Sequence, residues 1–196
     1  MPRFQRFILV GTRLFLGLIF FTSGMGKLTH GNFPGIIGPV WLEERLAEYG
    51  LSLFARFVAY SQVLVGLLLL SQRFATLGAV MLFPMLMSIF VVTVSLQWRG
   101  TPYVNAFFLF LNAGLLIADF HKLKFLLTDD ITDLKPLKIK RRSPRADALW
   151  ALVILLLLGS SWVFEYSRAG FWAVVGVGLS LLVAGQALAY RTRRAG

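Results

Sequence analysis

Six times over, the chain repeats an apolar stretch about as long as a membrane crossing. The stretches run Phe7–Leu28, Leu51–Leu70, Phe74–Trp98, Tyr103–Phe120, Ala148–Phe164 and Gly170–Tyr190. Turn and charge signals part several of them: Gly31, Pro34, Gly35, Gly38 and Pro39, then Gln72-Arg73, then Arg99-Gly100-Thr101-Pro102. Hydrophobic residues make up 57% of the 196 even with glycine left out. A soluble domain reaches only about 45–50% with glycine counted. A soluble fold of this size keeps too much of its area in water to hide that surface. A chain with 18 Phe is equally unsuited to disorder. The expectation is an all-α polytopic membrane bundle of six transmembrane helices. It divides into a four-helix core (1–125), a basic loop (126–147) and a C-terminal helix pair (148–196).

The formal charge of +11 reads as an orientation label. With the N-terminus inside, 14 of the 20 basic residues fall on inner segments: Arg3, Arg6, Arg73, eight from Lys122 to Arg145, and Arg191, Arg193 and Arg194. Arg45, Arg56, Arg99 and Arg168 fall outside, and Arg13 and Lys27 lie within the first span. This bias predicts both termini on the cytoplasmic side of a bacterial-type inner membrane. Trp41, Trp98, Trp162 and Trp172 mark outer boundaries and Trp150 an inner one, as an aromatic belt does. The pI near 10.7 therefore calls for no nucleic-acid partner. Membrane lipids and other membrane subunits are the expected partners. The run Lys135–Arg145 is read as a topology determinant, with anionic lipid, RNA or an acidic partner as alternatives. Arg13 interrupts the first apolar run and no small-residue cleavage site follows, so that run is read as an uncleaved helix.

Ionisable groups inside a span are costly and tend to face a bundle interior or a cavity. Arg13 and Lys27, fourteen residues apart, lie on nearly one helical face. Asn105, Asn112 and Asp119 recur every seven residues and form a second stripe, while Ser61 and Gln62 lie mid-way along the second span. Antiparallel running brings Arg13 to the level of Asp119 and Lys27 to that of Asn105. Two arrangements follow: facing stripes with an Arg13–Asp119 ion pair, or side chains that snorkel to the nearer interface. The segment Trp41–Tyr49 reads as an interfacial helix, capped by Gly50, with Trp41, Leu42, Leu46 and Tyr49 on one face. It either lies on the outer surface or closes over the bundle and offers Glu43 or Glu44 to Lys27.

Little else carries chemistry. Cysteine is absent, which excludes disulfides, thiolate metal sites and CxxC redox pairs. His30 and His121 fall on opposite sides of the ~30 Å core and cannot share a haem. No residue set has metal-ligand spacing, and no catalytic residues are assigned. Ser160-Ser161 read as helix-packing residues, and Gly176, Gly178 and Gly185 as points of close helix approach. Pro84 falls mid-span, where a kink is tolerated if neighbouring helices or polar groups satisfy the freed carbonyl.

The run Arg13-Leu14-Phe15-Leu16-Gly17-Leu18-Ile19-Phe20-Phe21-Thr22-Ser23-Gly24-Met25-Gly26-Lys27-Leu28 resembles the opening helix of the DoxX family. That family's pattern is an Arg, a Leu-Gly-aliphatic-aromatic run, a small residue, Gly, two residues and Lys-Leu. In the second span, Gln62 and Gly66 followed by an aliphatic run are similar to the family's Glu, three residues, Gly and aliphatic run, with Gln62 where Glu is common. The resemblance extends over roughly residues 7–125. It implies a four-helix membrane bundle and a redox setting, since DoxX-like proteins include a thiosulfate:quinone oxidoreductase subunit, methylamine-utilisation proteins and members of oxidative-stress complexes. The expected function is a non-catalytic accessory or anchoring subunit of a larger membrane complex. One alternative is a carrier of quinone or lipid in a cavity between spans one, two and four. Another is a membrane oxidoreductase. No covalently bound cofactor is expected; quinone or lipid is the small molecule implied. The candidate polar intramembrane site comprises Arg13, Lys27, Gln62, Asn105, Asn112 and Asp119.

Overall fold

Lipid supplies no water to satisfy backbone groups, so each apolar stretch must close its hydrogen bonds within itself, and it does so as a helix. The structure is a computed structural model describing residues 3–127 and 144–194. It contains α1 (Arg3–Leu28), α2 (Leu42–Ala47), α3 (Ser52–Leu70), α4 (Ala75–Ser95), α5 (Thr101–Ala118), α6 (Phe120–Leu127), α7 (Pro144–Tyr166) and α8 (Arg168–Arg194). Among the described residues, six of these are long and apolar enough to cross a membrane: α1, α3, α4, α5, α7 and α8. Most of the expected basic loop, residues 128–143, lies outside the described residues. The short helix α6 was not anticipated.

α1, α3, α4 and α5 close into a ring, each packing on the next, with α5 returning to α1. Their shared core holds Leu16, Phe20, Leu69, Leu82, Leu86 and Leu115. α7 and α8 pack on each other and dock against α1 and α3 through a second cluster that includes Phe21, Met25, Val63, Leu157 and Phe171. Phe33, in the loop after α1, stacks on Trp172 of α8 at 5.7 Å. Arg73, in the turn between α3 and α4, donates to Asp147 at the start of α7. The C-terminal pair is thus fastened by packing and by an ion pair.

Helices in lipid gain nothing from hiding apolar surface from each other, so close contact and polar bonds must hold them. The closest contact is between α1 and α3. A Cβ on Gly66 would strike the Phe21 backbone nitrogen, with the Phe21 Cα at 2.7 Å and the Gly17 carbonyl oxygen at 2.8 Å. One on Gly17 would meet the Gly66 carbonyl oxygen at 3.1 Å, and one on Gly24 the Ala59 carbonyl oxygen at 2.7 Å. The two backbones therefore touch where both lack side chains. In the C-terminal pair the expected glycine contacts hold only in part. Gly178 sits against the Leu157 side chain and Gly185 lies near Leu149, but Gly176 is exposed with nothing close to it.

α2 confirms one half of its sequence reading. Leu42 and Leu46 are buried against Ala55 and Val58 of α3, while Trp41 and Tyr49 are about half exposed, at 49% and 55%. Gly50 closes the helix at φ +70°, where Leu51 N–H reaches back to the Leu46 carbonyl. Pro84 falls within α4, and Asn112 of α5 donates to the Ala79 carbonyl at 3.0 Å, one residue before the carbonyl that proline frees.

The α1–α3 crossing yields a contrast in which the same change has opposite outcomes. Gly66→Ala is expected to lower stability by about 1–3 kcal/mol, because backbone rather than side chain must yield. Gly176→Ala should stay within about 0.5 kcal/mol of the parent. Thermal unfolding of both variants in one detergent compares them directly.

Candidate functional site

The six candidate polar residues do not converge on one point. Three groups form, at different depths. The first lies at the end of the bundle where α5 ends and α4 begins. Arg13, four turns before the end of α1, donates through Nη2 to Asp119 Oδ2 at 2.6 Å. Thr76 of α4 donates to the same oxygen at 2.8 Å, and Lys122 of α6 donates to Oδ1 at 2.6 Å and to Thr76 at 3.1 Å. The Arg13 and Asp119 side chains are only 15% and 6% exposed, whereas Lys122 is 40% exposed. Of the two arrangements open to Arg13, the ion pair is the one observed.

Local backbone explains the position of Asp119. It ends α5, and its carbonyl accepts the Lys122 N–H at 2.8 Å as α6 begins. A carboxylate is disfavoured at the negative end of one helix and favoured at the positive end of the next. Asp119 lies one residue beyond the membrane-crossing stretch Thr101–Ala118. Burial works to raise its pKa. The hydrogen bonds from Lys122 and Thr76, with the charges of Arg13 and Lys122, outweigh that and hold the carboxyl below its ordinary range.

The second group sits at the opposite end of α1. Lys27 Nζ donates to Ser23 Oγ at 2.6 Å, to the Ser23 carbonyl at 3.3 Å and to Gln62 Oε1 of α3 at 3.1 Å. The side chain reaches back along α1 instead of out towards the interface, the direction in which helical side chains lean. Three acceptors match the three ammonium donors, and none of them is charged. A loop covers the group: a Cβ on Gly38 would meet Ser23 Oγ at 2.8 Å and Lys27 Nζ at 3.1 Å. The Ile36 N–H reaches Thr22 Oγ1 at 3.4 Å. The expected alternative in which Glu43 serves Lys27 is not found. Glu43 instead accepts from Arg56 Nε at 2.5 Å, because α2 packs on the start of α3.

The third group is the remainder of the α5 stripe. Asn105 and Asn112 are buried on one face, as their spacing requires, but Asn112 turns to α4, and Lys27 bonds to α1 and α3 instead of Asn105. Asn105 Nδ2, Asn112 Oδ1 and Arg13 Nε are buried with no hydrogen-bond partner among the described residues. Sequence reasoning missed Ser23, Thr76 and Lys122. Ser23 and Lys122 carried a local signal, at i−4 from Lys27 and i+3 from Asp119. Thr76 carried none, since nothing in sequence places α4 beside the end of α5.

The glycines of the α1–α3 crossing and the Ser23–Lys27–Gln62 group all fall in one segment of the chain. Residues 8–95 match the DoxX family. The match begins within α1 and ends with α4, short of the expected residue 125, so Arg13, Lys27 and Gln62 lie inside it and Asn105, Asn112 and Asp119 beyond it. No curated protein and no solved structure matches the chain. The chain is a multi-pass integral membrane protein that is similar to the DoxX family over residues 8–95.

Within this bundle the Asp119 group lends itself to a double-substitution test. Asp119→Leu leaves Arg13 without its carboxylate and is expected to cost about 3 kcal/mol or more. Replacing both residues, Arg13→Met with Asp119→Leu, should cost clearly less than the sum of the two single changes. Unfolding of Arg13→Met, Asp119→Leu and the double variant gives the coupling; additive losses would show that the pair contributes nothing.

Proposed function

We propose that this DoxX-like protein is a non-catalytic accessory or anchoring subunit of a larger membrane complex in a redox or respiratory setting. The observation that carries the reading is how the charged side chains of the bundle are used. Arg13 with Asp119 and Lys27 with Gln62 tie one helix to another, and Arg73 with Asp147 ties the α3–α4 turn to α7. Such ties serve a scaffold. Outward faces carry large exposed apolar residues, among them Phe107, Phe110, Ile117, Leu155 and Val177, which suit lipid and neighbouring helices. The redox setting rests on the DoxX match alone.

The same reading places the protein in a bacterial-type inner membrane with both termini cytoplasmic, as the distribution of basic residues supports. A second reading, a quinone or lipid carrier, draws support from the unpartnered Asn105 Nδ2, Asn112 Oδ1 and Arg13 Nε, which are polar groups that a carbonyl or ester ligand would satisfy.

Purification in mild detergent followed by intact-mass measurement should recover a stoichiometric protein partner. A partner-free monomer overturns the subunit reading, and co-purified quinone lost on Asn112→Leu favours the carrier. Orientation is checked separately, since the chain has no cysteine of its own. An impermeant maleimide should label Arg45→Cys in intact cells and His121→Cys only after permeabilisation, both positions being exposed.

A further inference from the structure

Where α7 gives way to α8, the chain breaks its helix for a single residue, Ser167, whose Oγ accepts the Gly170 N–H at 3.1 Å. Glu165 lies in the last turn of α7 and Arg168 opens α8. Each charge stands at the helix end that disfavours it, an acid at a C-terminus and a base at an N-terminus. Among the described residues neither side chain has a hydrogen-bond or ion-pair partner, although they are only three positions apart. Helix stability does not account for this placement.

Both residues line a cavity of about 460 Å³ together with Leu28, His30, Asn32 and Phe164. The cavity lies in the seam between the end of α1 and the α7–α8 turn. Three membrane-crossing stretches end or begin there, at Leu28, Tyr166 and Arg168, which puts it at headgroup depth. Its apolar side is Leu28 and Phe164, and its polar side offers a cation, an anion, an imidazole and an amide.

We propose that this cavity binds a zwitterionic phospholipid with a primary-amine headgroup, of the phosphatidylethanolamine type. The phosphate meets Arg168 at the positive end of α8. The ammonium meets Glu165 at the negative end of α7, and the glycerol and first acyl carbons lie along Leu28 and Phe164. Such a ligand offsets both unfavourable helix-end charges at once. An anionic phosphatidylglycerol leaves Glu165 unpaired. A phosphatidylcholine carries no N–H to donate to it.

The test is reconstitution of the intact protein in vesicles of equimolar phosphatidylethanolamine, phosphatidylglycerol and phosphatidylcholine, followed by native mass spectrometry of retained lipid. The wild type should retain phosphatidylethanolamine with about a tenfold preference, the ratio that one charge-assisted bond supplies. Glu165→Gln should abolish the preference while leaving phospholipid bound. Arg168→Gln should reduce retention of all three, and the remote exposed change Arg99→Gln should leave the preference unchanged. Equal retention of the three lipids by the wild type overturns the proposal, as does a preference that survives Glu165→Gln. Free phosphoethanolamine binding as tightly as the lipid overturns the lipid assignment.

Discussion

The contact between α1 and α3 at Gly17 and Gly66 is the constraint from which the rest of the bundle is built. In lipid, two apolar helices have no reason to prefer each other over acyl chains, so association depends on how closely they fit. Here the fit is backbone against backbone, extended a turn or two further by Gly24 against Ala59. With α1 held this tightly, its other faces become walls for the remaining helices. One receives α5 through Arg13 and Asp119, and another receives the C-terminal pair through Phe21 and Met25.

The two ends of α1 solve the problem of a buried cation differently. Arg13 is paired with a carboxylate that itself accepts from three donors, and the one positive charge left over sits with Lys122, which is 40% exposed. Lys27 is held by neutral oxygens of Ser23 and Gln62, and its charge has no anion beside it among the described residues. The first arrangement joins three helices, α1, α4 and α6, at the end of a fourth. The second joins α1 to α3 beneath the loop that carries Gly38. Each is an interhelical tie, but the second holds its positive charge beneath a loop with neutral acceptors alone.

Much of this was legible in the sequence, and the boundary between what was and was not follows physical lines. The six spans were readable because hydrophobic length is a property of the chain alone, and each observed helix falls within a few residues of its expected stretch. The Arg13–Asp119 pair was readable as one of two alternatives, because antiparallel running fixes depth. Ser23 was overlooked although its spacing from Lys27 is local. Gln62 was grouped with five other polar residues, and of these it bonds to Lys27. Which of them meet depends on which helix faces which, and hydropathy carries no information about rotation around a helix axis.

By itself, then, the sequence determined that the chain is a helical membrane protein, how many times it crosses and which polar groups must be accommodated inside. The tertiary structure alone decided the ring order of α1, α3, α4 and α5, the recruitment of Thr76 to Asp119, and the diversion of Glu43 to Arg56. It also decided the seam where Glu165 and Arg168 come to line one cavity with His30. The reason is that local preferences along a chain fix secondary structure and depth, while the choice among apolar faces of similar hydropathy is made only by shape, by backbone contact at Gly66, and by the high cost of leaving a buried charge unpaired.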